Sequence, residues 1–163
     1  MSTQMRRMSP GDVPAVMELE PQLFGRGAWS QAIFTEEASR ADRYYVVLTE
    51  ADHLIGYAGL ATGVEATVMT LGVAPGHRRE GHATRMLSAL LDRARQSGAE
   101  SVFLEVRAQD DGAQRLYRSF GFVPLGLRRG YYQPEGADAL VMQLALKPPR
   151  RGPGPVGAEA IEE

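Results

Sequence analysis

Six consecutive residues, Arg78-Arg79-Glu80-Gly81-His82-Ala83, have the types and spacing needed to hold an anion on the main chain. They lie between an apolar, β-branched run, Val68 to Val73, and a helical pattern that reaches past Leu91, with Pro75-Gly76 marking a turn between the two. The first amides of a helix have no partner inside it and sit at the positive end of its dipole, so phosphate is stabilised there. Gly81 and Ala83 keep that approach free of bulk. Two other phosphate-binding glycine motifs are absent. The G-x-x-x-x-G-K-[ST] loop needs a lysine and the only one is Lys147, and no G-x-G-x-x-G stands at a strand-to-helix junction. An ordinary strand-turn-helix with a tight entrance is the alternative reading of these residues alone.

Composition narrows the classes of function. At 163 residues the chain suits one domain with a full core, and 44% hydrophobic with 23% charged residues is the balance of a soluble globular protein. A net charge of −2 gives no footprint for nucleic acid. The absence of cysteine removes disulfides, thiolate metal ligands and a cysteine nucleophile together. No apolar h-region stands at the N-terminus and no apolar run is long enough to span a membrane, so the expected location is the cytoplasm, without membrane contact. With three histidines and no G-x-S-x-G elbow, a serine hydrolase is disfavoured. His77, Glu80 and His82 match none of the usual helical zinc spacings, so no metal is expected.

These residues must be positioned by a mixed set of elements. Residues 4–8 read as a first strand, and Asp12 as the cap of a helix with Val13, Val16, Met17 and Leu19 on its buried side, running to Pro21 or a little beyond. Ser30 caps a second helix over residues 31–41. Strands follow at 44–49, 53–62 and 65–73, joined by tight turns as an antiparallel meander. The helix after the phosphate turn puts Ala83, Leu87, Leu90, Leu91 and Ala94 on one face and ends before Gly98. Residues 101–107 form a strand parallel to the one ending at Val73. Asp110 or Asp111 caps a short helix carrying Ala113, Leu116, Tyr117 and Phe120 on one side, and Gly121 stops it. Strands at 122–127 and 139–146 close the domain, with residues 128–134 read as a loop between them. The domain is expected over residues 1–147, and residues 148–163, rich in Pro and Gly, as a disordered tail.

R-x-x-G-x-A, Arg78 to Ala83, resembles the acyl-coenzyme A signature of the Gcn5-related N-acetyltransferase (GNAT) superfamily. Three further segments extend the resemblance: Glu65-Ala66-Thr67 leading to Leu71-Gly72-Val73; Leu104-Glu105-Val106-Arg107 with Leu116-Tyr117 and Gly121-Phe122 after it; and Arg128-Arg129-Gly130-Tyr131-Tyr132. Their order and spacing are most similar to the bacterial ribosomal-protein alanine N-acetyltransferases. The resemblance covers residues 4 to about 146 and implies an α/β, single-domain acyl-CoA N-acyltransferase fold, a mixed central sheet of about seven strands with helices on both faces. It implies acetyl-CoA as co-substrate, held by Leu71, Gly72, Val73, Arg78, Arg79, Glu80, Gly81, His82, Ala83, Thr84, Asp110 and Tyr117. It implies a protein N-terminal peptide as acceptor, of alanine type and ribosomal, bound near Tyr131 and Tyr132, and a monomer or weak dimer. Trp29, the only tryptophan, reads as a core anchor or as a substrate wall.

The resemblance makes Glu105 the general base and Tyr117 the general acid. On a strand, Glu105 shares a face with Phe103 and Arg107, and desolvation there is expected to raise its pKa toward a proton-accepting range. An exposed Glu105 and Arg107 pair is the plain alternative, as is a structural Tyr117 on the core side of its helix. A phenol can donate to a departing thiolate, since their ordinary pKa values lie within about two units. An α-amine with pKa of about 7.7 to 8.0 is roughly one third unprotonated near pH 7.5, against about a thousandth for lysine, which suits a single carboxylate base. Without cysteine to carry an acyl group, direct attack by the amine is the simpler route. Relatives often carry asparagine where Asp110 stands, and an ionised acid there accepts hydrogen bonds but cannot donate to the cofactor as an amide does. A superfamily member acting on a small-molecule amine, and an acyl-CoA binding module without turnover, are the rival readings.

Overall fold

The computed structural model describes residues 2–133 and 135–146. Seven strands form one sheet in the order β1-β2-β3-β4-β5-β7-β6. They are β1 (Thr3–Arg7), β2 (Arg43–Glu50), β3 (His53–Ala61), β4 (Glu65–Val73), β5 (Ser101–Arg107), β6 (Val123–Tyr132) and β7 (Ala137–Ala145). Four helices accompany them: α1 (Val13–Phe24), α2 (Gln31–Ser39), α3 (His82–Gln96) and α4 (Asp111–Ser119). All pairings are antiparallel except β4 with β5, which the α3 crossover makes parallel. The mixed seven-stranded α/β sheet expected from sequence is what the chain forms. Among the described residues no helix is long and apolar enough to cross a membrane.

Alternate side chains of the central strands feed two cores. In β2, Val46 and Leu48 pack with Leu87, Leu90 and Leu91 of α3, whereas Tyr45 and Val47 pack with Val13, Val16 and Leu19 of α1 and Phe34 of α2. This double duty explains the uninterrupted apolar run from Tyr44 to Leu48, since a strand covered on both faces has no polar side. Burial of a Leu or Val side chain contributes about 1.5 to 3 kcal/mol, so each core is held by several such terms.

The parallel pair matters most for the site. β4 and β5 are in register only at Glu65–Ser101, Ala66–Val102 and Thr67–Phe103. β4 continues to Val73 and β5 to Arg107, but among the described residues no ladder joins the two strands beyond Thr67. The sheet therefore splits between two strands buried at their roots, and main-chain groups along the split face a cleft instead of a neighbour.

Two local expectations need correction. Residues 128–132 are not loop: they extend β6 to Tyr132, in register with β7 through Arg128–Ala139 and Tyr132–Ala137 with a bulge between. Gly130, at φ 63, supplies the bulge conformation, and the paired tyrosines suit a strand. Asp12 precedes α1 but does not cap it through its side chain, which turns back to accept from the Ser9 amide and the Arg6 guanidinium at 2.8 Å and 2.7 Å. α1 runs, as expected, a little beyond Pro21 and ends at Phe24, where Gly25, at φ 56, turns the chain and its N–H bonds back to the Pro21 carbonyl. The expected tail from residue 148 lies outside the described residues.

Candidate active site

The turn before α3 has the geometry that its residue types predict. Gly81 occupies the N-cap position at φ 84, ψ 8, and offers no side chain to cap the helix. The first helical amide bond is Arg85 N–H to the Gly81 carbonyl at 3.0 Å, which leaves the amides of His82, Ala83 and Thr84 for an outside acceptor. No protein atom lies within 4 Å of where a Cβ on Gly81 would stand, and the left-handed backbone there favours glycine. Arg79 is also left-handed, at φ 65.

A cavity of about 580 Å³ opens on these amides. Eleven of the twelve residues expected to hold acetyl-CoA line it: Leu71, Gly72, Val73, Arg78, Arg79, Gly81, His82, Ala83, Thr84, Asp110 and Tyr117. Glu80 does not. Its carboxylate meets His82 Nε2 at 2.8 Å and lies 3.5 Å from His77 Nδ1, and the hydrogen bond with His82 holds it below the ordinary carboxylate range. The ligating atoms of His77, Glu80 and His82 lie within 4.8 Å of one another, a gathering that linear spacing did not foretell. Asp110 reaches the cavity as a helix cap, its Oδ1 accepting from the Ala113 N–H at 3.0 Å. The fit to acetyl-CoA is therefore one of free helix amides and two arginines for a diphosphate, beside an unpaired strand edge for an amide-bearing arm.

A second, smaller cavity of about 250 Å³ lies along the β4–β5 split. Val68 to Leu71 form one wall, Leu104 to Arg107 the other, and Glu20, Trp29 and Tyr132 close it. The two cavities share Leu23, Phe24, Leu71, Asp110, Ala113 and Tyr117. Tyr117 thus stands where they meet. It is buried, packs edge-on against Phe122 at 5.8 Å between ring centroids, and burial pushes its hydroxyl well above the usual phenol range.

Glu105 is not desolvated in an apolar setting, as its strand suggested. Its side chain is a quarter exposed, Arg128 holds Oε2, and the Tyr131 hydroxyl donates to Oε1 at 2.8 Å. The partner is Arg128 and not Arg107, which instead pairs with Glu135 at 2.6 Å and covers the Tyr132 ring at 4.4 Å. The structure separates the two tyrosines: Tyr132 lines the cavity, its hydroxyl pushed up to about 12 by burial, whereas Tyr131 acts on Glu105. Trp29 packs at 47° against Phe34 with centroids 5.0 Å apart, as a core anchor does, and it also lines the cavity.

Sequence reasoning passed over Glu20, which is 2% exposed. Oε1 accepts from the Tyr57 hydroxyl and Oε2 from the Trp29 N–H at 2.9 Å, and burial raises its pKa. The signal was present: Val13, Val16 and Glu20 fall at i, i+3 and i+7, which puts the acid on the buried stripe. Leu23, Phe24, Gly112, Ala113 and Leu116 of the cavity walls were also missed.

Known proteins share this fold. The chain is 40% identical over 142 residues to the N-alpha-acetyltransferase RimI of Mycobacterium tuberculosis, covering 83% of this chain and 88% of that one. It is 39% identical over 142 residues to an uncharacterized Mycobacterium leprae protein, covering 83% of this chain, but spans only 39% of that protein's length. The crystal structure of the ribosomal-protein-S18-alanine N-acetyltransferase from Escherichia coli superposes with a TM-score of 0.82 at 27% identity, covering 91% of this chain and 96% of that one. The model of the Acetyltransferase (GNAT) family matches residues 13–122, which run from the start of α1 through the phosphate turn and both walls of the split sheet to just past the end of α4. The chain therefore belongs to the GNAT family of N-acetyltransferases, whose model spans both the open helix mouth and the split sheet.

Proposed function

We propose that this enzyme acetylates the N-terminal α-amine of a protein, of alanine type and ribosomal, in the smaller cavity. The observation that carries the reading is the meeting of two cavities at Tyr117, with Glu105 lining one and residues 82–84, whose amides are free, lining the other. The names of the Escherichia coli and Mycobacterium tuberculosis relatives support the choice of a protein α-amine.

Acetyl-CoA supplies the activated acetyl group as a thioester. Arg78, Arg79 and the amides of residues 82–84 bind its diphosphate, and the open edge of Leu71 to Val73 aligns its arm. Trp29 and Tyr132 wall the acceptor so that the amine enters from the opposite side. Glu105 takes the amine proton, directly or through water, from a position fixed by Arg128 and Tyr131. Tyr117 holds a proton at the meeting point, where the leaving sulfur collects it. Burial makes this phenol a weaker acid than the ordinary one, so donation is a hydrogen bond that strengthens as charge develops on sulfur, not a transfer completed beforehand.

A thiol-release assay across N-terminal peptides, polyamines and aminosugars tests the reading. The expected result is kcat/KM at least about 100-fold higher on alanine-initiated peptides. Faster turnover of small amines would move the substrate class to the rival.

A further inference from the structure

Glu20 is the only charged side chain that is buried among the described residues, and no guanidinium, ammonium or imidazolium pairs with it there. Burying a carboxylate with only neutral partners is costly, whereas leucine at this position of α1 would pack without that cost. What the acid adds is connection. It ties α1 to Tyr57 on β3 and to the main chain of Trp29, in the short glycine-containing link from Gly25 to Ser30 between α1 and α2. The Gly25 N–H closes the end of α1 on the Pro21 carbonyl and the Ala28 N–H bonds locally to the Gly25 carbonyl at 3.1 Å, whereas the Trp29 amide, at the far end of the link, reaches back to the α1 side chain of Glu20.

We propose that Glu20 is a positioning residue for the acceptor: it clamps the Trp29 main chain so that the indole stands as a fixed cavity wall, and it does so by accepting hydrogen bonds. The proposal rests on the reading of this cavity as the acceptor site. A wall carried on a short link confers affinity only if its ordering cost is met before the substrate arrives. A carboxylate presents two oxygens at once, one for an N–H and one for an O–H, and that is the pair of donors found.

Two substitutions separate the clamp from a direct effect of charge. Glu20→Leu keeps the volume and removes both acceptors. Glu20→Gln removes the charge, yet its carbonyl still accepts from the Trp29 N–H and its amide donates to the Tyr57 oxygen. Trp29 is the only tryptophan, so intrinsic tryptophan fluorescence reports on the clamped residue alone. Glu20→Leu is expected to raise the acrylamide quenching constant at least about threefold and KM for an alanine-initiated peptide at least about tenfold, with KM for acetyl-CoA within about twofold. Glu20→Gln is expected to stay within about twofold of the parent in all three.

A folded Glu20→Leu variant with parental quenching overturns the proposal. So does Glu20→Gln matching the leucine variant in peptide KM while Trp29 stays shielded, because charge would then be acting on the acceptor itself. Amide hydrogen exchange on the parent enzyme decides the question even if the leucine variant does not fold: the Trp29 N–H is expected to exchange at least about 100-fold more slowly than that of Gly27, and equal rates overturn the clamp. Failure of the acceptor reading looks different. A peptide that is turned over but leaves Trp29 emission unchanged would sink that reading and the acceptor half of the proposal, while the quenching comparison would still decide the clamp.

Discussion

The Tyr131 hydroxyl donates to Oε1 of Glu105 at 2.8 Å, joining β5 to the bulged end of β6. Arg128, on the same strand as Tyr131, holds the other carboxylate oxygen. On a regular strand these two positions would face opposite sides of the sheet, and the bulge between Arg128 and Tyr132 is what turns both onto one carboxylate.

The carboxylate that this pair orients is the base of the proposed reaction, and substitutions should grade accordingly. Glu105→Gln is expected to lower kcat by about 100-fold or more, the ordinary worth of a positioned base. Tyr131→Phe, which removes one of two holding contacts, is expected to lower it by less than about tenfold. Steady-state kinetics on the peptide acceptor gives both numbers, and equal losses would mean that Tyr131 touches substrate itself.

Tyr117 makes a separate prediction through pH. Its burial raises the hydroxyl above the ordinary phenol value of about 10, so the group stays protonated through the neutral range. The kcat profile should therefore show no descending limb from this residue below about pH 10. Tyr117→Phe is expected to lower kcat about 100-fold while leaving KM for acetyl-CoA within about threefold.

Gly81 tests the diphosphate cradle. A non-glycine residue in the left-handed region costs roughly 1 to 2 kcal/mol, and at φ 84 alanine must bear that cost or move the turn. Gly81→Ala should weaken acetyl-CoA binding about tenfold in calorimetry. An unchanged Kd would show that the amides of residues 82–84 do not carry the affinity.

Asp12 contributes to the acid limb of stability. The hydrogen bond from Arg6 is the largest of the influences that hold its carboxyl at about 2. A depressed carboxyl stabilises the fold above its unfolded value, near 3.8, and the contribution is lost as pH falls through about 2. Because the Arg6 side chain is 51% exposed, screening leaves about 1 kcal/mol. Asp12→Asn should lower Tm by about 3 °C at pH 7, and the gap should close between about pH 4 and 2.

Much of the fold was legible because it rests on local patterns. The β4 and β5 boundaries, Glu65–Val73 and Ser101–Arg107, coincide with their apolar runs, and the stop of α3 before Gly98, at φ 86, follows from glycine chemistry. Ser30 caps α2 as its type predicts, accepting from the Ile33 N–H at 3.2 Å. The open mouth of α3 was readable for the same reason, since free amides at a helix start are a property of a few adjacent residues.

The amino-acid sequence by itself thus determined the elements, their order and the helix entrance with its free amides, because hydrogen-bonding periodicity and glycine conformation act over a handful of positions. The tertiary structure alone decided where β4 and β5 part, that Glu105 is held by Arg128 and Tyr131 instead of lying desolvated, and that Glu20 reaches the Trp29 amide. Those contacts join residues far apart in the chain or across a link that turns back on itself, and burial, register and ion pairing between such residues are set by packing across the whole sheet.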